Sequence, residues 1–149
     1  MGRLGKSIEI KVPPEKVWEM LAFDRLPEWN EGYKGELKSV EYTSEVHTPK
    51  DKYRVGATAH MTLNKGDLDL EITESLENEK MAYRLEGTYD GLITYSLEPV
   101  EKGTKLTYAA DYEMPWGILG KFLGKLFIHR MEEKKLERSL ENLKSILEK

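Results

Sequence analysis

The stretch MPWGILGKFLGKLFIHRMEEKKLERSLENLKSILEK (residues 114–149) decides how the rest of the chain is read. Proline-glycine punctuation at Met114-Pro115-Trp116-Gly117 runs into a helical pattern that ends at Lys149, and this pattern changes character halfway. Ile118, Leu119, Phe122, Leu123, Leu126 and Phe127 cover a wide apolar face. From Leu136 only a narrow stripe remains, Leu136, Leu140, Leu143 and Leu147, at the spacing of one helix side. Packing on a core requires only the narrow stripe. The wide half, carrying Gly117, Gly120 and Gly124, predicts a wall or lid over something apolar.

Upstream, the pattern is that of strands. Ser7 to Val12 alternates Ile8, Ile10 and Val12 against Glu9 and Lys11. Pro13-Pro14 stops that strand and suits the first turn of a short helix bearing Val17, Trp18, Met20 and Leu21. Asp24 is placed to cap a second brief helical turn through Trp29, which Asn30 to Gly32 ends. Leu37 to Thr43 is the next strand, followed by a polar loop from Ser44 to Arg54. Alternating runs then centre on Met61, Leu70, Tyr83, Tyr95 and Tyr108, separated by short breaks of turn composition such as Glu77-Asn78-Glu79-Lys80 and Glu101-Lys102-Gly103-Thr104. Such short breaks predict an antiparallel meander. The whole reads as one α+β domain over residues 1–149, ordered β-α-α-β(×6)-α, with one long helix to cover a curved sheet of seven strands.

Bulk properties narrow the function. The chain of 149 residues has a formal charge of −4 and no dense basic run, which argues against a nucleic-acid surface. The absence of cysteine excludes disulfides and thiolate chemistry. The first residues carry no apolar signal segment, no stretch is long enough for a membrane span, and Lys6 spoils the myristoylation motif that Gly2 invites. A cytoplasmic protein is the expectation. The chain lacks Gln, holds few Asn and is 34% charged, a bias shared with thermophile proteins.

Several segments together resemble the START-like (SRPBCC, Bet v 1-like, helix-grip) superfamily, and within it the polyketide cyclase/dehydrase and lipid-transport group. These are Ile10-Lys11-Val12-Pro13-Pro14-Glu15-Lys16-Val17-Trp18 with Pro27-Glu28-Trp29, Val55-Gly56 opening a strand, Glu98-Pro99 before Gly103-Thr104-Lys105-Leu106-Thr107, and the tail from Pro115-Trp116-Gly117 to Ser139-Leu140-Glu141-Asn142-Leu143-Lys144. The resemblance covers nearly the whole chain. It implies an apolar cavity between the sheet and the final helix, used for hydrophobic small molecules or lipids. It does not name the ligand, since fold is a poor guide to activity.

Candidate site residues follow from that placement. Leu119, Phe122, Leu123 and Leu126 would wall the cavity from the helix, and Met61, Leu70 and Leu85 from the sheet. Tyr83, Tyr95, Tyr108 and Tyr112 lie in phase with the aliphatic residues of their strands, so they read either as polar points in the cavity or as core rings with hydroxyls at its rim. Trp29, Tyr33 and Trp116 are candidates for the mouth, or plain packing anchors. His129 falls on the inward side of the helix with Glu133 one turn on. These two are the weak catalytic candidates, as acid and base or as orienting groups, the alternative being a surface pair at the sheet's open edge. The helix glycines suit either a gate or close packing. His47 and His60 show no metal-ligand spacing, His60 and the Asp67, Asp69, Glu71 series fall on an outer strand face, and no metal or cofactor motif is present.

Three functions compete. The leading one is a non-catalytic binder or carrier of a hydrophobic molecule (lipid, isoprenoid or polyketide-like), monomeric or weakly dimeric. The first rival is a cyclase or dehydratase using an acid–base group in the same cavity. The second is a chaperone module that docks its apolar helix half on a protein or a membrane.

Overall fold

The computed structural model describes residues 2–64, 66–88, 90–113 and 123–149, the side chains of 2, 112–113 and 123–129 excepted. Alternating residues broken by short turns form strands β1 (Gly2–Ile10), β2 (Leu37–Tyr42), β3 (Thr58–Leu63), β4 (Gly66–Leu76), β5 (Lys80–Gly87), β6 (Asp90–Val100) and β7 (Gly103–Glu113). All pair antiparallel in one seven-stranded sheet of order β1-β7-β6-β5-β4-β3-β2. The meander therefore runs from β2 to β7, and the first strand closes onto the last. Helix α1 (Pro14–Glu19) and a 3-10 turn (Phe23–Glu28) bridge β1 and β2, and helix α2 (Leu123–Leu147) lies over the sheet.

Period-two patterning sets which face is buried. On the inner face β4 contributes Leu68, Leu70 and Ile72, β5 Met81, Tyr83 and Leu85, β6 Ile93, Tyr95 and Leu97, and β7 Leu106 and Tyr108, all buried. Helix α2 answers with Leu136, Leu140 and Leu143, each at most 6% exposed, while Ile146 and Leu147 pack at the periphery. Each such leucine contributes roughly 1.5–3 kcal/mol by leaving water. The end of α2 is also fixed by polar contacts to the end of β1. Lys144 Nζ donates to the Glu9 carbonyl (2.8 Å), and the Lys11 amide donates to Glu148 Oε2 (2.9 Å).

Some expectations need correction. β1 begins at Gly2 and ends at Ile10, because its pairing with β7 extends from Gly2↔Tyr112 to Ile10↔Thr104. The second helical turn is 3-10, with Ala22 at its N-cap and Pro27 inside, where proline cannot supply an amide proton. Asp24 is no cap. It accepts from Lys52 Nζ (2.8 Å) and Tyr42 Oη (3.3 Å), tying this turn to the loop after β2. That loop holds a second 3-10 turn, Pro49–Lys52, where Asp51 Oδ2 accepts from the amides of His47 (2.7 Å) and Thr48 (2.9 Å). His60, expected on the outer face, is there but half-buried: its ring meets Asp69 (2.7 Å) and Asp67 (3.6 Å), and the hydrogen bond to Asp69 raises its pKa. The Pro115-Trp116-Gly117 punctuation and the segment 114–122, with Gly117 and Gly120, lie outside the described residues.

Two turns depend on unusual backbone. Asn78, between β4 and β5, has φ 65°, which asparagine tolerates better than most residues. Gly103, between β6 and β7, has φ 157°, and a Cβ there would overlap the Ile10 carbonyl oxygen. The next residue, Thr104, is fully buried and donates from Oγ1 to the Val12 carbonyl (2.8 Å). Gly103→Ala is therefore expected to destabilise by about 1–3 kcal/mol through backbone strain and clash. Urea unfolding with an unchanged m-value measures this, and a wild-type midpoint would refute it.

Candidate functional site

Rings from four elements meet on the inner face. Register places Tyr108 of β7 opposite Tyr95 of β6, and Tyr95 opposite Met81 of β5. The Tyr95 and Tyr108 rings meet edge to face at 5.1 Å, and Tyr83 lies 5.9 Å from Tyr95. Trp29 covers both Tyr95 (6.1 Å) and Tyr108 (6.2 Å), while Phe23 meets Tyr83 (5.2 Å). Polar atoms in this cluster are satisfied internally. Trp29 Nε1 donates to the Met20 carbonyl (2.8 Å), the Tyr83 and Tyr95 hydroxyls bond each other (3.3 Å), and Asn30 Nδ2 donates to Tyr108 Oη (3.1 Å). Burial, with the neighbouring phenols, pushes the Tyr83 and Tyr95 pKa values well above the ordinary tyrosine value.

Beside this cluster lies a cavity of ≈ 420 Å³ between the sheet, the segment 30–36 and α2. Its walls include Leu4 of β1, Leu63 of β3, Leu85 of β5, Ile93 of β6 and Leu136 of α2. Small residues leave the room. Ala110 sits between Leu4 and Ile93 in register, and in the next row Gly91 stands opposite both Leu85 and Tyr112. At one side are three buried polar side chains, Asn30, Tyr108 and Ser139. Charged groups (Glu31, Lys34, Glu36, Asp111, Glu132 and Lys135) are half-buried or exposed around the opening. A second hollow of ≈ 250 Å³ lies on the solvent face of β3, β4 and β5, beside the ion pairs of Arg84 with Glu71 and Glu86.

Helix α2 is latched to the 29–31 turn beside the cavity. The Glu31 amide donates to Ser139 Oγ (2.8 Å), and Ser139 donates to the Lys135 carbonyl (2.7 Å). Asn142 Nδ2 reaches the Trp29 carbonyl (3.2 Å) and Glu31 Oε2 (3.1 Å), and Arg138 pairs with Glu31 (3.5 Å).

Of the residues singled out from the sequence, Tyr33, Leu85 and Tyr108 line the cavity. Trp29, Met61, Leu70, Tyr83 and Tyr95 do not; at 0–1% exposure they form the core behind it. Glu133 does not line it either. It meets Lys6 of β1 (3.2 Å), which also holds Glu137 (3.2 Å), at the edge of the sheet. The side chains of Tyr112, Leu123, Leu126 and His129, and all of Trp116, Leu119 and Phe122, lie outside what is described. Sequence reasoning misses Asn30 and Ser139. Asn30 reads there only as a helix stop, and the one signal for Ser139 is that it interrupts the Leu136–Leu140–Leu143 stripe.

The family model for polyketide cyclase / dehydrase and lipid transport matches residues 1–148. The chain belongs to this family. Solved structures show the same fold in this family member at low identity. Protein TTHA0849 from Thermus thermophilus is 19% identical with a TM-score of 0.71, covering 97% of this chain and 95% of that one. A START superfamily protein from Mycobacterium smegmatis is 15% identical, with a TM-score of 0.70 and coverage of 98% and 97%. The Aha1 dimer from Colwellia psychrerythraea is 22% identical, with a TM-score of 0.64 and coverage of 99% and 96%. No curated protein matches the family member's sequence. Among its described residues no helix is long and apolar enough to cross a membrane, and no cluster of three or more His, Asp or Glu residues is placed to hold a metal.

Proposed function

We propose that the cavity between sheet and helix binds a hydrophobic small molecule, of lipid, isoprenoid or polyketide-like character, and that binding rather than turnover is the function. The observation that carries this reading is the ≈ 420 Å³ space with leucine and isoleucine walls and a few buried polar atoms to one side. That size falls in the range of ligand pockets, and the apolar walls supply affinity at about 25 cal/mol per Å² of ligand surface removed from water, before ordering costs. The family supports a hydrophobic ligand. The engagement of Glu133 by Lys6 supports binding over acid–base chemistry at that residue.

Native mass spectrometry of the purified protein, followed by solvent extraction, tests the reading. A bound apolar molecule is expected. An empty pocket with turnover of a polyketide-like substrate would replace the binder by an enzyme, and concentration-dependent dimerisation without ligand would favour a docking module. Ala110→Phe should fill the space between Leu4 and Ile93, lowering ligand occupancy at least tenfold while leaving the protein folded. Unchanged occupancy in a folded Ala110→Phe protein would place the ligand elsewhere.

A further inference from the structure

The polarity of the cavity is graded, and the gradient specifies a class of ligand. At the buried side stand Asn30, Tyr108 and Ser139, which are 5%, 7% and 2% exposed. The walls then pass through Leu4, Ile93 and Leu85 to the exposed Lys34, Glu36 and Thr88. The buried groups are an amide, a phenol and a hydroxyl, all uncharged.

Among the described lining residues, Asn30 has capacity to spare. Its Oδ1 accepts from the Gly32 amide (2.8 Å), which fixes the orientation of the amide, and Nδ2 donates one of its two protons to Tyr108 Oη (3.1 Å). The second Nδ2 proton is a donor in a site walled by apolar side chains. Along the same row, Lys6 faces Tyr108 in register, but its ammonium is held by Glu133 and Glu137. Among the described residues, the other lysines on the lining are Lys34, which is exposed, and Lys135, which is half-exposed and pairs with Glu132 (3.6 Å).

We infer that the family member selects an uncharged, oxygen-bearing hydrophobe, a ketone or an alcohol, whose oxygen accepts from Asn30 at the buried side while the hydrocarbon lies against Leu4, Leu85 and Ile93. The inference rests on the cavity being the binding site. A neutral carbonyl loses water there and regains one hydrogen bond, whereas an ionised carboxylate would lose far more solvation, and among the described residues no unpaired cation stands at the buried side to meet it. Discrimination against fatty-acid anions therefore arises from the uncharged character of Asn30, Tyr108 and Ser139 rather than from shape.

The test compares methyl nonyl ketone, decanoate and decylammonium by isothermal titration calorimetry on the full chain at neutral pH. The ketone is expected to bind at least tenfold more tightly than decanoate. Asn30→Asp keeps the size and the acceptor for Gly32 but removes the donor. It should weaken the ketone at least tenfold and strengthen decylammonium. Tyr108→Phe, which leaves Asn30 in place, should change ketone affinity less than Asn30→Asp does, and the melting midpoints of both variants report whether they fold. Decanoate binding as tightly as the ketone, or a folded Asn30→Asp protein with wild-type ketone affinity, overturns the inference and leaves the cavity reading standing. Failure of all three probes to bind overturns both.

Discussion

Trp29→Ala is expected to destabilise the protein by about 3–5 kcal/mol, the range for removing a large aromatic ring from a core. Trp29 is fully buried and contributes in three ways at once. Its ring covers Tyr95 and Tyr108, its Nε1 donates to the Met20 carbonyl (2.8 Å), and its own carbonyl accepts from Asn142 on α2 (3.2 Å). Truncation opens a void that backbone strands on one side and a latched helix on the other can only partly close. It also leaves the Met20 carbonyl without its donor. Domains of this size are stable by roughly 5–15 kcal/mol, so the loss is a large part of the whole. Trp29→Phe separates the two contributions, since it retains most of the ring and loses the hydrogen bond, at about 1–3 kcal/mol. Denaturant unfolding of both variants with unchanged m-values gives the comparison. A loss below about 1 kcal/mol for Trp29→Ala would show that Trp29 is not the anchor of this core.

The second large effect is a collapse at alkaline pH. Burial raises the pKa values of Tyr83 and Tyr95 well above the ordinary value near 10. In the unfolded chain both titrate near 10, so above that pH the unfolded state binds fewer protons than the native state. Stability must then fall as pH rises. Their contribution is fully present below pH ~10 and is lost above it, at up to about 1.4 kcal/mol per pH unit for each phenol. Tyr42 adds to the trend, its pKa raised chiefly by burial and then by the charge of Asp24. Followed by phenolate absorbance, only part of the eight tyrosines should ionise in the folded protein, and the rest should appear together with loss of far-ultraviolet dichroism. Tyr83→Phe should remove one of the late-ionising groups and make the alkaline loss less steep. Smooth ionisation of all eight tyrosines near pH 10 in a folded protein would refute the buried cluster.

These expectations rest on tertiary neighbours that the sequence does not show. Period-two alternation is a local property, so the inner faces of β4, β5 and β6 were legible residue by residue, as was the Leu136–Leu140–Leu143 stripe. Being inward is not the same as lining a cavity. Met61, Leu70, Tyr83 and Tyr95 point inward as expected, yet all four are core at 0–1% exposure, with Phe23 packed on Tyr83 and Trp29 on Tyr95. Leu85 and Tyr108 have the same alternation and line the hollow, where Gly91 opposite Leu85 and Ala110 two residues beyond Tyr108 on β7 bring little side-chain volume. Which inward residue lines the hollow thus depends on side-chain volume across the strands, and no single-strand pattern carries that information. Glu133 is a similar case. Helical spacing placed it near the inner side, but the strand it meets was fixed only by β1 closing the sheet beside β7, which brings Lys6 under the helix.

Element order, the antiparallel meander, the packing stripe of the last helix and the family are all legible in the amino-acid chain alone, because each is written in local periodicity or in short motifs. Where the sheet is filled and where it is hollow, and the meeting of Asn30, Tyr108 and Ser139 beside the hollow, emerge only from the assembled fold. Residues 30, 108 and 139 are far apart along the chain. They meet because the 29–31 turn is hydrogen-bonded to α2 on one side and packs its tryptophan on the tyrosines of β6 and β7 on the other. Packing and hydrogen bonding of that kind are sums over the whole fold, which is why the polar side of the site became visible only in three dimensions.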